Sequence, residues 1–568
     1  MNKIKITEPN ENIEVHLSDG CTLCGPRGAS IEDFIKALDD KISAPVVAAI
    51  VNGDLREMHY KIERESTLRP VTTNTADGAR IYRRSLTFLL EFAFQELFPK
   101  GELTIDHSVG SGGYYCQVRG REILSAGELE MLNQRMQAEV KRDSTFIREE
   151  IPLKEAIQHF EALGHPDKIA LLAHRKKDYL TLYRLDDYMD YHHGYMVPST
   201  GYLQWFDLQE SNGGFVLRFP RRHAPTELLP MGDYPQLLSA FRRYGDWMMK
   251  LGIDNVGALN KAVVAGRAQE IVLVSEALHE MHIASIARQI AEERDKLRLI
   301  LIAGPSSSGK TTFSRRLTVQ LLARGISPFP LELDNYFVDR TENPRDENGE
   351  LDFEVIEALN LPLLAEHLQK LVRGERVQIP RYNFKTGTSE KGEEIQLREG
   401  QLIILEGIHG MNTRLIPEAL REQSFRIYIS ALTQLNLDRH NRVSTTDTRL
   451  IRRIVRDARE RGYTAKETIS RWESVRRGEK RHIYPFQENA DIMFNSALAY
   501  ELAALKPFAE PLLRQVPHGT PEYIEAKRLL AFLEWFLVLN PDLIPENSLA
   551  REFLGGSVLK EFKWWQGR

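Results

Sequence analysis

Nine consecutive residues constrain this chain more than any other feature: Gly304, Pro305, Ser306, Ser307, Ser308, Gly309, Lys310, Thr311 and Thr312. The first eight fit G-x-x-x-x-G-K-[ST]. Before them runs LRLILIA, an apolar stretch with little alternation, which reads as a buried strand. After them TTFSRRLTVQLLARG has helical period and closes on Gly325. Strand, loop and helix are the context in which this pattern grips phosphate. Gly304 and Gly309 let backbone N–H groups approach phosphate oxygens closely. The helix N-terminus adds its positive dipole end. Lys310 places an ammonium on the outer phosphates, and the Thr311 hydroxyl is positioned for Mg²⁺. The loop alone implies a nucleoside triphosphate and leaves ATPase, GTPase and kinase open.

The segments that follow choose among these. PFPLELDNYF puts Asp334 at the end of a second apolar run, at the carboxyl edge where doubly wound sheets hold ligands. A carboxylate there can take the proton of an attacking hydroxyl. QLIILEGIHG is a third apolar run with Glu406 at its end, suited to orienting magnesium. From Arg439 to Arg481 there are 14 Lys/Arg against 6 Asp/Glu. RLIRRIVRDARERG spaces Arg449, Arg452, Arg453, Arg456 and Arg459 at three- and four-residue intervals, which predicts one cationic helix face. That face reads as a lid over the triphosphate, with a nucleic-acid or solvated face as the alternative.

At 568 residues, three or four domains are expected. Residues 1–70 mix short β-like runs (KIKI, IEVHL, VVAAIVNG) with one helix, SIEDFIKALDD. Residues 80–230 read as a separate α+β domain, 234–296 as a helical connector, 297–495 as an α/β domain with a parallel sheet, and 496–568 as a helical extension packed on it or on another subunit. A net charge of -5 argues against a surface devoted to nucleic acid. The N-terminus lacks the apolar core of a secretory signal, and no stretch reaches membrane-spanning length. Three cysteines make no disulfide framework, and the Cys21–Cys24 pair has no second pair to complete a zinc site. A cytoplasmic location is the expectation.

The segments GPSSSGKTTF, LELDNYF, IPRYNF, LEGIHG and RLIRRIVRDARERG occur in the order seen in the uridine kinase and phosphoribulokinase family, which residues 290–495 resemble. The resemblance implies ATP and Mg²⁺ as cofactors and a small-molecule acceptor, with a nucleoside favoured. It makes Asp334 the acceptor-activating base and assigns Thr311 and Glu406 to the metal. Arg453 would hold ribose or phosphates, and Arg456 and Arg461 would belong to the lid. Tyr382 and Phe384 would line the nucleoside pocket, and Asp352-Phe353-Glu354 loosely keeps the family's acidic ribose segment. Gly387 stands where the uridine–cytidine kinases carry a base-contacting histidine, and Tyr463 where they usually carry an arginine. A sugar-phosphate acceptor and a nucleotide-sensing module working with tRNA or the ribosome are the rival readings.

The N-terminal half resembles other families. Residues 1–70 look like the β-grasp TGS domain. Residues 80–230, through RRSLTFLLEFAFQELFP, HSVGSGGYYCQV and DDYMDYHHGYMVPSTGYLQWFDL, look like the editing-type domain of threonyl-tRNA synthetases. That family's H-x-x-x-H aligns with Phe88 and Phe92, and its C-x-x-x-H with His192 and Met196. Phenylalanines neither ligate metal nor move protons. Editing chemistry is therefore expected to be lost, with His107, His192 and His193 structural, while a nucleic-acid ligand and homo-oligomerisation stay open.

Overall fold

The computed structural model describes residues 10–38, 44–345, 349, 351–383, 385–433 and 435–562. The expected KIKI strand and Phe384 lie outside the described residues. The architecture is multidomain, α/β and α+β, with a β-grasp sheet at one end and a parallel-sheet domain at the other. No described helix is long and apolar enough to cross a membrane.

The first sheet runs Thr22–Pro26, Asn12–Leu17, Ser66–Thr72, Val46–Val51, Asp54–Glu57, with Asn12–Leu17 parallel to Ser66–Thr72 and the other pairs antiparallel. The helix Ile31–Lys36, closed by a Ser30/Asp33 capping box, buries Ile31, Phe34 and Ile35 in this sheet's core. Next come a four-stranded antiparallel sheet, a three-stranded one, and the helices Ala76–Leu97 and Ala126–Arg142.

Phe88 is fully buried in this second domain, its ring edge-on to Phe146 at 5.7 Å, Tyr188 at 5.2 Å and His192 at 5.5 Å. The His192 Nε2 lies 2.9 Å from the Glu91 carboxylate, and burial holds His192 and His193 down to about 3, so both are neutral. His107 is stacked between Phe241 and Tyr115. Phe88→Ala is expected to destabilise this domain by about 3–5 kcal/mol, because it removes a fully buried ring packed edge-on against three others. Denaturant unfolding checks this; a loss under about 1 kcal/mol would show a loosely packed site.

The parallel sheet has the order Pro328–Glu332, Leu402–Glu406, Leu299–Ala303, Ser424–Ser430, Ile492–Asn495. Its strands are mostly apolar because both faces are covered, with Glu332, Glu406 and Asn495 at carboxyl ends. Side chains alternate between the two: Ile300, Ile302, Leu402 and Ile404 enter one core, Leu299, Leu301, Ile403 and Leu405 the other. The helices of 234–296 form part of these cores, which corrects the expectation of a connector. Leu237 and Phe241 of Pro235–Leu251 cover one face, and Ile283, Ile286 and Ile290 of Ala268–Glu292 cover the other. Their apolar stripes were visible as helical periodicity, but period alone does not say which sheet a stripe meets. The C-terminal helices Glu501–Arg514 and Pro521–Leu533 complete the core that holds Ile300, Ile302, Leu402 and Ile404.

The loop after Ser424–Ser430 ties the domains together. Arg439 makes a bidentate pair with Asp167 at 2.8 Å, His440 Nδ1 lies 2.9 Å from Asp190, and Asn441 donates to the Tyr191 carbonyl. Glu91, Asp190 and His440 converge closely enough for a metal. The buried Lys168 ammonium, 2.8 Å from Asp190, already supplies a cation there.

Candidate phosphoryl-transfer site

The phosphate loop leaves the central strand, where the sheet order reverses, the position at which open α/β sheets bind ligands. Its two glycines are required by space and by conformation. A Cβ on Gly304 would lie 2.0 Å from the Ile429 carbonyl oxygen. Gly309 has φ +88, and a Cβ there would meet Leu549 at 2.1 Å.

Four predicted residues meet at the carboxyl ends of three neighbouring strands. Lys310, first residue of the helix Lys310–Leu322, donates to the carbonyls of Gly304 (3.0 Å) and Pro305 (3.1 Å). Thr311 donates its hydroxyl to Glu406 at 3.1 Å. Asp334 lies in a single 3-10 turn, Leu333–Tyr336, directly after Pro328–Glu332. Burial raises the Asp334 pKa, while Lys310 and Arg461 pull it back. Glu406 is pushed up to about 7 by burial, with Glu552 and Asp334 adding to the rise and Lys310 opposing it. A half-buried carboxylate beside two others, bonded to a hydroxyl, fits a divalent cation: Thr311 and Glu406 would hold it.

Glu354 lies against the helix Ala465–His482, where a Cβ on Gly478 would meet its own Cβ at 2.3 Å. Burial and the nearby Glu479 raise it to about 7, with Arg453 and Lys310 opposing. Tyr382 is buried, its ring 5.5 Å from Phe337, which meets Phe353 at 5.9 Å.

The arginine helix, Thr445–Arg461, does not present the open cationic face that its spacing predicts. Arg449 and Arg452 are each only 1% exposed, because carboxylates from distant segments reach them. Arg449 pairs with Glu479 and donates to the Ser306 carbonyl at 2.9 Å. Glu479 in turn accepts the Ser306 N–H at 2.9 Å, so this pair clamps the loop backbone from both sides. Arg452 pairs with Glu501 at 2.5 Å and reaches the Ser307 carbonyl. Arg453 donates to the Ser306 hydroxyl at 2.8 Å. Arg456 and Arg461 both turn to Asp457, at 3.0 and 3.5 Å, and Arg461 is half-exposed. Arg459 donates to the carbonyls of Glu552 and Phe553.

Sequence reading missed Glu479, the Arg449 clamp and Glu552. Glu479 had a signal: a carboxylate amid RRGEKR on an otherwise cationic helix. Glu552 had none. Its carboxylate accepts the Thr312 N–H at 3.1 Å, on the first turn of the phosphate-loop helix. An incoming phosphate competes for such donors. Glu552→Gln removes the negative charge and is expected to tighten triphosphate binding several-fold in a calorimetric titration at fixed Mg²⁺. A tenfold weakening would instead make Glu552 part of the binding site.

Residues 299–502 match the phosphoribulokinase / uridine kinase family model. The N-terminal region matches threonine–tRNA ligases: that of Cupriavidus necator is 29% identical over 204 residues, 36% of this chain and 32% of the relative. The ligase of Rickettsia canadensis is 28% identical over 204 residues, with the same coverage. The chain thus spans about a third of the length of the curated relatives it matches. A solved structure from Silicibacter, described as a fructose transport system kinase, is 19% identical and covers 37% of this chain and 98% of its own, with a TM-score of 0.28. The family-model match and the ligase match thus recover the resemblances read in residues 290–495 and in the N-terminal half.

Proposed function

We propose that this chain is a kinase that moves the γ-phosphate of ATP onto the hydroxyl of a small acceptor, with a nucleoside as the favoured acceptor. The observation that carries this reading is the convergence of Lys310, the Thr311–Glu406 pair and Asp334 at one edge of a parallel sheet. Asp334, beside the phosphate loop at that edge, is a carboxylate placed to take the proton of an acceptor hydroxyl.

The acceptor oxygen attacks the γ-phosphorus, its proton passes to an Asp334 carboxylate oxygen, and the bond from phosphorus to the β-phosphate oxygen breaks. Lys310 offsets the charge that develops on the phosphoryl oxygens. The clamp of Arg449 and Glu479 on Ser306 holds the loop backbone in place, so its N–H groups need not reorganise during the step. Arg453 lies beside the same loop through the Ser306 hydroxyl. Magnesium, held by Thr311 and Glu406, would neutralise phosphate charge.

The aromatic group of Phe337, Phe353 and Tyr382, the first two only partly buried, supports a nucleoside, since flat rings offer stacking faces. One observation favours a second reading, a sugar phosphate. Arg340 lies against Gly387, where its guanidinium would be within 2.9 Å of any Cβ, so a cation fills the place of the uncharged base contact. A screen of nucleosides and sugar phosphates by ADP release separates the two. Activity on nucleosides is the expected outcome; activity on sugar phosphates alone would replace the nucleoside with the second acceptor class.

A further inference from the structure

A cavity of about 830 Å³ separates the editing-like domain from the parallel-sheet domain, away from Lys310, Asp334 and Glu406. Its walls are strongly cationic. The helix Ala76–Leu97 contributes Arg80, Arg83 and Arg84, the segment after Gly214–Arg218 contributes Arg221 and Arg222, and the helix Ala465–His482 contributes Arg476 and Lys480.

Some of these charges are already matched. Arg80 pairs with Asp77 and Glu525, and Arg222 with Glu473. Among the described residues, Arg83, Arg221, Arg476 and Lys480 have no carboxylate within ion-pair distance. The Nε atoms of Arg83 and Arg221 are buried without an acceptor. The cations also oppose one another. Burial, then Arg476, Arg222 and Arg221, pull Lys480 down to about 8. Burial, with Arg476, Arg221 and Arg222 adding to it, pulls Arg83 down to about 10. Proteins do not gather unpaired cations around a cavity for stability, because burial and like-charge repulsion both cost free energy. An anion entering the cavity removes both costs.

The same walls carry flat rings. Tyr114, Phe219, Tyr234 and Trp472 face the cavity, and the Arg83 guanidinium stacks over Phe219 at 4.8 Å. The volume lies within the range of small-molecule sites, roughly 300–1,000 Å³. We propose that this interdomain cavity is a second ligand site, separate from the phosphate loop, which binds a nucleoside phosphate: phosphates on the Arg83, Arg221, Arg476 and Lys480 cluster, and the base among the aromatic side chains.

The site touches the side chains that brace the phosphate loop. Trp472 lies beneath the Arg449 guanidinium at 5.3 Å, and Tyr484, on the cavity wall, donates to Glu479 at 3.0 Å. Arg449 and Glu479 hold Ser306. A ligand in the cavity therefore bears on the residues that position the loop.

The test uses the full chain carrying Lys310→Ala, which weakens the phosphate-loop site. It is titrated calorimetrically with the ribonucleoside mono-, di- and triphosphates at low ionic strength, where charge contacts are least screened. At least one is expected to bind with 1:1 stoichiometry. Adding Arg83→Gln and Arg221→Gln should weaken that binding at least tenfold, while the thermal midpoint stays the same or rises, since two unpaired cations are gone. If that variant does not fold, Lys480→Gln on the opposite wall carries the same expectation. No binding by any of these nucleotides would overturn the proposal, as would binding that survives the substitutions. A lowered midpoint with unchanged affinity would mark the arginines as structural and overturn it equally.

Discussion

Lys310→Ala is expected to leave a folded protein whose phosphoryl transfer is reduced by ~10³-fold or more, the scale of losing a preorganised charge contact to the transition state. Burial lowers the Lys310 pKa, and three neighbouring carboxylates, Glu406, Glu552 and Asp334, oppose that fall. Without the ammonium these carboxylates share protons, so the fold survives and the site loses the charge that offsets the outer phosphates. The helix Lys310–Leu322 depends on its buried face, Phe313, Leu317 and Leu321, and not on Lys310. Steady-state kinetics with circular dichroism check both halves. Turnover near wild type in a folded Lys310→Ala protein would remove Lys310 from the site.

Asp334→Asn is expected to lower kcat by ~10²–10⁴-fold with triphosphate affinity largely kept, because the amide retains the shape of the carboxylate but accepts no proton. A pH profile adds a second reading. Desolvation raises the Asp334 pKa from its ordinary value, against the pull of Lys310 and Arg461, and the base must be ionised to work. Activity should therefore fall as the pH drops through that raised value, and kcat/KM reports the free enzyme, in which the shift exists. The acid limb should disappear in the Asn variant. A collapse of ATP affinity at normal kcat would make Asp334 a metal or structural residue.

The parts of this site legible in sequence are those whose geometry is local. Gly304 to Thr312 define a loop whose flanks are a strand and a helix, so the positions of Lys310 and Thr311 follow from chain direction alone. Asp334 and Glu406 were legible because each ends an apolar run, and a parallel sheet brings the ends of such runs to one edge. The rest depended on long-range pairing. Arg449 meets Glu479 across 30 residues, Arg452 meets Glu501 across 49, and Glu552 reaches Thr312 across 240. No periodicity predicts such partners, so a helix with five regularly spaced arginines reads as an exposed cationic face until the carboxylates that bury it are seen. The helices of 234–296 were recognised as helices for their period, yet their place on both faces of the sheet was not legible, because an apolar stripe does not identify its partner. Phe88 and Phe92 stand where the resemblance to the editing-type domain expects two histidines, and the structure adds that the ring of Phe88 sits in an aromatic core.

These helices also set how the chain can be divided. A fragment starting near residue 270 removes Leu237 and Phe241 from one core, so a folded kinase fragment must begin no later than Pro235.

The γ-phosphate is expected to end on an acceptor hydroxyl and not on water. The direct measurement is mass analysis of the products when the full chain is incubated with ATP, Mg²⁺ and a mixture of nucleosides and sugar phosphates, beside Asp334→Asn. A monophosphorylated acceptor formed in equal amount to ADP is the expected result, with almost none from the variant. ADP and inorganic phosphate at the same rate with or without acceptors, unaffected by Asp334→Asn, would contradict it.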